Sequence, residues 1–259
     1  MQISLVTVSY NAESTIVDTM ESVWRQRLPE GVSLEYVVVD GASTDGTVVK
    51  IREYADRVQG GDLTFKWISE KDEGLYDAMN KGIGMATGDV IGILNADDWL
   101  EDEKVLGDVA KGFEVGVDAV YGDVRFVRGE GEETVRYYSS RRWRPWMHNW
   151  GFMPAHPSVY VRREVFEKFG CYKLGYKISA DFEWMTRIFC RGGIKARYLS
   201  RCIVTMRLGG KSTAGLKAML ELNRENVRAN RENGYFCCLP MMLPKYFFKI
   251  WGYVLKGRD

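Results

Sequence analysis

Asp97 and Asp98 are the side chains best suited to chemistry, because the two carboxylates follow directly on the apolar run Val90-Ile91-Gly92-Ile93-Leu94. A run this apolar reads as a strand buried in a sheet, and open α/β sheets bind ligands at the carboxyl ends of such strands. Like charges side by side repel, so the pair calls for something positive between them. A hard divalent cation answers that need, since it takes oxygen ligands and often shares them with a substrate's phosphates. Metal-assisted chemistry on a phosphorylated substrate is the sharper reading of Leu94–Trp99. An exposed acidic Asx-turn is the plainer one, and these six residues leave both open.

The preceding residues supply the elements that would carry such a pair. Ile3–Val8 reads as a strand, and Asn11 as the cap of a helix whose Ile16, Met20, Val23 and Trp24 recur at helical spacing. Tyr36–Val39 is a second buried strand, followed by a helix marked by Val48, Ile51, Tyr54, Ala55 and Val58. Leu63–Ile68 alternates as a strand, Tyr76–Ala86 reads as a helix, and Val90–Leu94 completes the series. Strands and helices alternating over short connections predict a mainly parallel sheet flanked by helices. Four polar clusters then stand at successive strand ends: Ser9-Tyr10-Asn11, Asp40-Gly41-Ala42-Ser43, Glu70–Gly74 and Asn95–Asp98. In a doubly wound sheet these ends meet at one crevice.

Beyond Asp98 the pattern is mixed. Ala119–Tyr121, Val124–Val127, Thr134–Tyr138 and Ser158–Val161 read as short strands, and Arg162–Phe169 and Asp181–Arg191 as helices. Thr213–Asn233 predicts an amphipathic helix with Leu216, Met219, Leu220 and Val227 as its apolar stripe. One domain over residues 1–212 with a helical extension over 213–259 is the economical division.

Composition narrows the class. The 259 residues are 46% hydrophobic and 27% charged with a net charge of +1, ordinary for a soluble enzyme and without a field that would attract nucleic acid. Five scattered cysteines lack zinc-site spacing and read as reduced cytosolic thiols, while two histidines argue against a His-rich metal centre. Met1 leads straight into a strand, so no signal peptide is expected. The tail from Tyr235 to Leu255 is apolar, but Pro240, Pro244, Lys245 and Lys249 interrupt it, which argues against a spanning helix. Lys245, Lys249 and Lys256 on one face suit a helix lying on an anionic membrane surface, and packing on the protein itself or on a second subunit is the alternative. Trp143, Trp146, Trp150 and Phe152, interleaved with Arg141, Arg142 and Arg144, read as core ahead of a sugar- or lipid-facing surface.

Several stretches together resemble the family 2 inverting glycosyltransferases of GT-A fold. They are Val6–Asn11, Val38–Thr47, Ser69–Gly82, Gly88-Asp89, Leu94–Asp98, Ser179–Trp184 and Gly209–Ser212. The resemblance implies an α/β fold with a mixed, mainly parallel sheet, and a site for a nucleotide-diphospho-sugar donor. It places Asp40 on the nucleotide base, where an acceptor-only carboxylate suits the N3–H of uracil or thymine or the edge of guanine. Ser9, Asn11, Asp72, Lys81 and Asn95 would line the same donor. Asp97 and Asp98 would hold Mg²⁺ or Mn²⁺ against the diphosphate, with Asp97 also facing the donor. Asn95 stands at the usual first acid of that motif, which leaves the metal to the aspartates.

The resemblance also makes Asp181 the general base that takes the proton of an acceptor hydroxyl, with Glu183 as the fallback and His156 on the acceptor side. Helix capping by Ser179 or Asp181 is the structural alternative and is compatible with catalysis. Arg207–Ser212 resembles a loop that closes over the donor, with Arg207 or Lys211 reaching the phosphates and Gly209-Gly210 lending freedom. The expected activity is transfer of a sugar from a nucleoside-diphosphate donor, UDP ahead of GDP or dTDP, to a glycan or lipid-linked acceptor in surface-polysaccharide assembly. The expected location is cytoplasmic, peripheral on the inner membrane. A nucleotidyltransferase or a non-catalytic glycan-binding protein on the same fold are the rivals.

Overall fold

The computed structural model describes residues 1–58, 63–128, 133–208 and 216–248. Its first half is a regular alternation: β1 (Gln2–Ser9), α1 (Ile16–Trp24), β2 (Ser33–Asp40), α2 (Thr47–Val58), β3 (Leu63–Ser69), α3 (Leu75–Met85) and β4 (Val90–Asn95). β1 lies parallel between β2 and β4, and β2 is parallel to β3. The order β3-β2-β1-β4 reverses direction at β1, which is where a doubly wound sheet opens a crevice at its carboxyl edge.

Strand side chains alternate between two cores, as the period of two requires. Val6, Val8, Val37, Val39, Ile91 and Ile93 face Met79 and Ile83 of α3. Ile3, Leu5, Tyr36, Val38, Val90 and Leu94 face Ile16 and Met20 of α1 and Ile51 and Tyr54 of α2. Gly82 sets how closely α3 sits, because a methyl group there would run into the side chains of Val6 and Val39. At the opposite, amino edge of the strands, fully buried Glu35 accepts hydrogen bonds from Ser4, Thr87 and Lys66. Burial alone would raise its carboxyl, but those donors hold it down at about 2.

The second half continues the sheet with β5 (Trp99–Leu100), α4 (Val105–Gly112), β6 (Ala119–Arg128), β7 (Glu133–Tyr138), β8 (Val159–Arg162), α5 (Arg163–Phe169), α6 (Ala180–Met185) and β9 (Ala196–Arg207). β8 runs antiparallel between β4 and β6, and β9 lies parallel to β6. The two short strands expected over 119–127 are one. β9 escapes the periodicity argument because Arg197, Ser200 and Arg201 break its alternation. Arg201 is satisfied by ion pairs to Asp102 and Asp108. The helix expected over Asp181–Arg191 is α-helical only to Met185 and then widens into a π-turn, Thr186–Arg191, where the Thr186 hydroxyl bonds back to the Phe182 carbonyl.

Two further expectations change. Asn11 does not cap α1: Thr15 stands at that position, and Asn11 takes φ 49° with its carboxamide oxygen bound to the Thr44 amide. In α7 (Leu216–Glu232), Met219 and Leu220 face outward, whereas Asn223, Glu225, Asn226 and Asn230 are buried beside Val227. α7 thus packs through polar contacts that no apolar stripe announces. It is built into the body of the protein, with Glu232 holding Lys173 and Tyr176, and Asn233 just beyond it bonding Glu183. The expected boundary at residue 212 lies outside the described residues.

Candidate active site

Strand register brings the polar ends into one row: Ser9 pairs with Asp40, Asp40 with Ser69, and Val8 with Asn95. Asp40 is fully buried at the centre. Its Oδ1 accepts from the hydroxyls of Ser9 and Ser43, and its Oδ2 from the Ser43 amide and the Ser69 hydroxyl. Four donors fill a carboxylate's acceptor capacity, so Asp40 spends itself holding three strand ends and the turn after β2. Within that turn Ala42 has φ 58°, and Asn11 on the neighbouring loop donates its amide to the Ser43 hydroxyl. Two non-glycine residues in the left-handed region on facing loops mark a backbone held there by its surroundings.

The open acceptor beside Asp40 is Asp72. One of its oxygens binds the Gly74 amide, and the other lies against Gly41. The exposed ring of Tyr10 borders the same glycine, so Tyr10, Gly41 and Asp72 form a slot at the end of β2. Lys81 is directed elsewhere. Its ammonium binds the Lys71 carbonyl, Glu70 and Asp77, fixing the loop that carries Asp72.

Asp97 and Asp98 follow β4 on a tight turn in which the Asp98 amide bonds the Asn95 carbonyl. Burial raises both carboxyls above the usual range, Asp98 well above it because Asp97 is beside it. Asn95 donates to Asp98 at 3.1 Å and leaves its own Oδ1 buried with no hydrogen-bond partner among the described residues. Two crowded carboxylates and an orphaned amide oxygen are hard donors that fit a divalent cation of the Mg²⁺ or Mn²⁺ type. No cluster of three metal-ligating side chains occurs among the described residues, so remaining ligands would come from substrate oxygens or water. Arg207, the last residue of β9, brings a positive charge near both carboxyls that lowers them, and its guanidinium lies over Trp99 and pairs with Asp18. It therefore reaches the acidic pair from a strand and not from a loop. Lys211 and the Gly209–Ser212 motif lie outside the described residues.

Asp181 opens α6, half-buried. Its Oδ1 accepts from the Phe182 amide at 2.9 Å and lies 3.0 Å from the Tyr76 hydroxyl. Tyr76 belongs to the first turn of α3, at the carboxyl edge of the sheet, so Asp181 is tied to the same rim as the strand-end cluster. Asn80, one turn further along α3, clamps both backbone groups of Tyr172. His156 is buried, its Nε2 bonded to the Tyr172 hydroxyl at 2.8 Å, and burial depresses its imidazole so that it stays neutral. His156 therefore supports Tyr172 from behind. Glu183 is fully buried and paired with Arg187 and Lys173, with Asn233 on the other side, so it is a structural ion pair and not an exposed fallback base. Tyr10 and Tyr76 stood inside the quoted stretches without a role of their own, and Glu225 carried no signal in the sequence.

Residues 4–170 match the family described as Glycosyl transferase family 2. The chain belongs to that family. Among curated relatives of this family 2 glycosyltransferase is the PGL/p-HBAD biosynthesis glycosyltransferase of Mycobacterium bovis, 29% identical over 203 residues that cover 76% of this chain and 73% of the relative. Among solved structures, S. aureus TarS in complex with UDP aligns with a TM-score of 0.62 at 16% identity, over 88% of this chain and 65% of that one. The mannosyltransferase PcManGT from Pyrobaculum calidifontis, in complex with GDP-Man and Mn²⁺, aligns with a TM-score of 0.65 at 20% identity, over 98% of this chain and 72% of that one. The GT-A fold expected from the motifs is thus the fold observed.

Proposed function

We propose that this family 2 enzyme is an inverting, divalent-metal-dependent glycosyltransferase that moves a sugar from a nucleoside-diphosphate donor to a hydroxyl of a glycan or lipid-linked acceptor in surface-polysaccharide assembly. The observation that carries this reading is the tie from α3 to Asp181, which sets one carboxylate with an unengaged oxygen, among the described residues, on the same rim as the crowded Asp97–Asp98 pair. In a single displacement the acceptor oxygen forms its bond to the anomeric carbon as the bond to the diphosphate breaks. The electron pair leaves with the nucleoside diphosphate, and the hydroxyl proton passes to Asp181. A cation held by Asp97 and Asp98 would stabilise the charge on the departing diphosphate. With Glu183 closed off by its ion pairs, one base suffices for inversion.

Asp72 and Tyr10 support recognition of the base, the free Asp72 oxygen accepting an N–H and the ring stacking on the heterocycle. A uracil or a guanine satisfies that pair, in keeping with the UDP and GDP-Man bound by the neighbouring structures. A membrane-surface position is supported by the exposed rings of Trp146, Trp150, Phe236, Phe247 and Phe248, with Arg141, Arg142 and Arg144 close in sequence to the first two. Residues 134–163 and 233–258 contain no Asp or Glu, so nothing acidic in either stretch opposes an anionic leaflet. The chemistry is tested by nucleoside-diphosphate release from UDP- and GDP-sugars with Mn²⁺, alongside melting shifts with UDP, GDP and dTDP. Asp181→Asn should abolish release and keep the metal-dependent shift, and Asp98→Asn should weaken both. Full activity in Asp181→Asn removes it as the base.

A further inference from the structure

We propose that Glu225 of α7 is a positioning residue for Asp181, an inference that rests on Asp181 being the base. Glu225 is 8% exposed and lies outside the matched family segment. Its Oε1 accepts from the Lys177 amide at 2.7 Å, and its Oε2 from the amides of Ile178 at 2.9 Å and Ser179 at 2.8 Å. Three consecutive backbone N–H groups converge on one carboxylate immediately before α6. Charge-assisted bonds of this kind are about twice as strong as neutral ones. The nearby cations pair with other carboxylates, Lys177 with Glu221 and Arg228 with Glu232, and Arg228 acts on Glu225 only through space, so the three amides are the hydrogen-bond partners of Glu225 among the described residues. Asn226 adds a bond to the Ser179 hydroxyl at 2.9 Å with its amide nitrogen turned inward.

This clamp fixes more than a loop. With its N–H held by Glu225, the Ile178 residue presents its carbonyl to the Tyr76 hydroxyl at 2.5 Å, while the same hydroxyl lies 3.0 Å from Asp181 Oδ1. A phenol has one proton to donate. The Ile178 carbonyl and Asp181 compete for it, so a carbonyl held in place by Glu225 limits how much of that proton Asp181 takes and leaves it electron density for the acceptor hydroxyl. Without Glu225, residues 177–179 relax, the Ile178 carbonyl withdraws and the Tyr76 proton turns to Asp181, which then becomes a weaker base. The other groups facing Asp181, Tyr172 and His156, are bonded to each other and make no hydrogen bond to Glu225 among the described residues.

The test compares wild type, Glu225→Ala, the isosteric Glu225→Gln, Tyr76→Phe and the double variant Tyr76→Phe with Glu225→Ala. Donor turnover is measured from pH 5 to 9, and amide hydrogen exchange at residues 177–179 is followed in parallel. Glu225→Ala should lower kcat by about tenfold or more with donor KM within about threefold, the pattern of a lost transition-state interaction. The acidic limb of its pH profile should move to lower pH, and Glu225→Gln, which keeps one accepting oxygen, should fall between. In the Tyr76→Phe background the same substitution should have a much smaller effect, because the contested proton is gone. An unchanged kcat, or the same loss with and without the Tyr76 hydroxyl, overturns the proposal. So does unchanged exchange at residues 177–179 in Glu225→Ala, a result readable without turnover. A wild type that releases no nucleoside diphosphate from any donor instead sinks the functional reading.

Discussion

Gly41→Ala isolates the base-recognition slot from the rest of the site. The methyl group would lie well under 3.0 Å from the nearer Asp72 oxygen and 3.4 Å from the Tyr10 ring. Ordinary van der Waals contact begins at 3.4 Å, so the carboxylate must retreat by about 1 Å while the ring barely moves. The fold tolerates this, because Gly41 has no positive φ and the displaced atoms end a side chain whose other oxygen binds the Gly74 amide. The expected change in stability is under about 1 kcal/mol, within the usual range for substitutions that leave the core intact. Nucleotide binding is another matter. A retreat of about 1 Å breaks a charged hydrogen bond worth about 1.5–3 kcal/mol, which raises Kd by about 10- to 150-fold. Titration calorimetry with UDP and GDP in Mn²⁺ reads this directly, and the melting temperature without ligand is the control. Unchanged affinity for both nucleotides in a folded Gly41→Ala variant would refute the assignment of Asp72 to the base.

The remaining predictions concern the far edge of the sheet and the aromatic face. Glu35 ionises at about 2 in place of 4.5, so it contributes about 3 kcal/mol of stability above pH 4.5 that is lost progressively as pH falls toward 2. Glu35→Gln should remove a contribution of that order at pH 7 and flatten the acid limb of a urea-unfolding series, and equal midpoints at pH 7 and pH 3 in wild type would contradict it. Trp146→Ala combined with Phe247→Ala should reduce co-sedimentation with vesicles containing phosphatidylglycerol while leaving donor hydrolysis in solution intact. Equal sedimentation with the anionic and with purely phosphatidylcholine vesicles would exclude charge as the driving force.

The alternating first half of the chain was legible element by element. Its strands are short apolar runs and its helices carry regular apolar spacing, both properties of neighbouring residues. The four polar strand ends were legible for the same reason, since each closes a run that must be buried. β9 and the short elements β5 and α4 were not, because their burial depends on which distant strands they meet. Arg201 in β9 is tolerable only beside Asp102 and Asp108, residues nearly a hundred positions away.

For the site, the sequence by itself determined which residue types stand at the carboxyl edge: an acidic pair after β4, Asp40 at the end of β2, and Asp72 after β3. Only the tertiary structure decided what each one is free to do. Asp40 meets four donors and is consumed by them, Glu183 is enclosed by cations, and Asp72 and Asp181 each keep an oxygen without a hydrogen bond among the described residues. The same holds for α7, whose polar face reads as solvated until Glu225 is seen against three amides. A carboxylate's capacity to act depends on the donors that surround it in space, and those donors are brought together by folding, from parts of the chain that no local pattern connects.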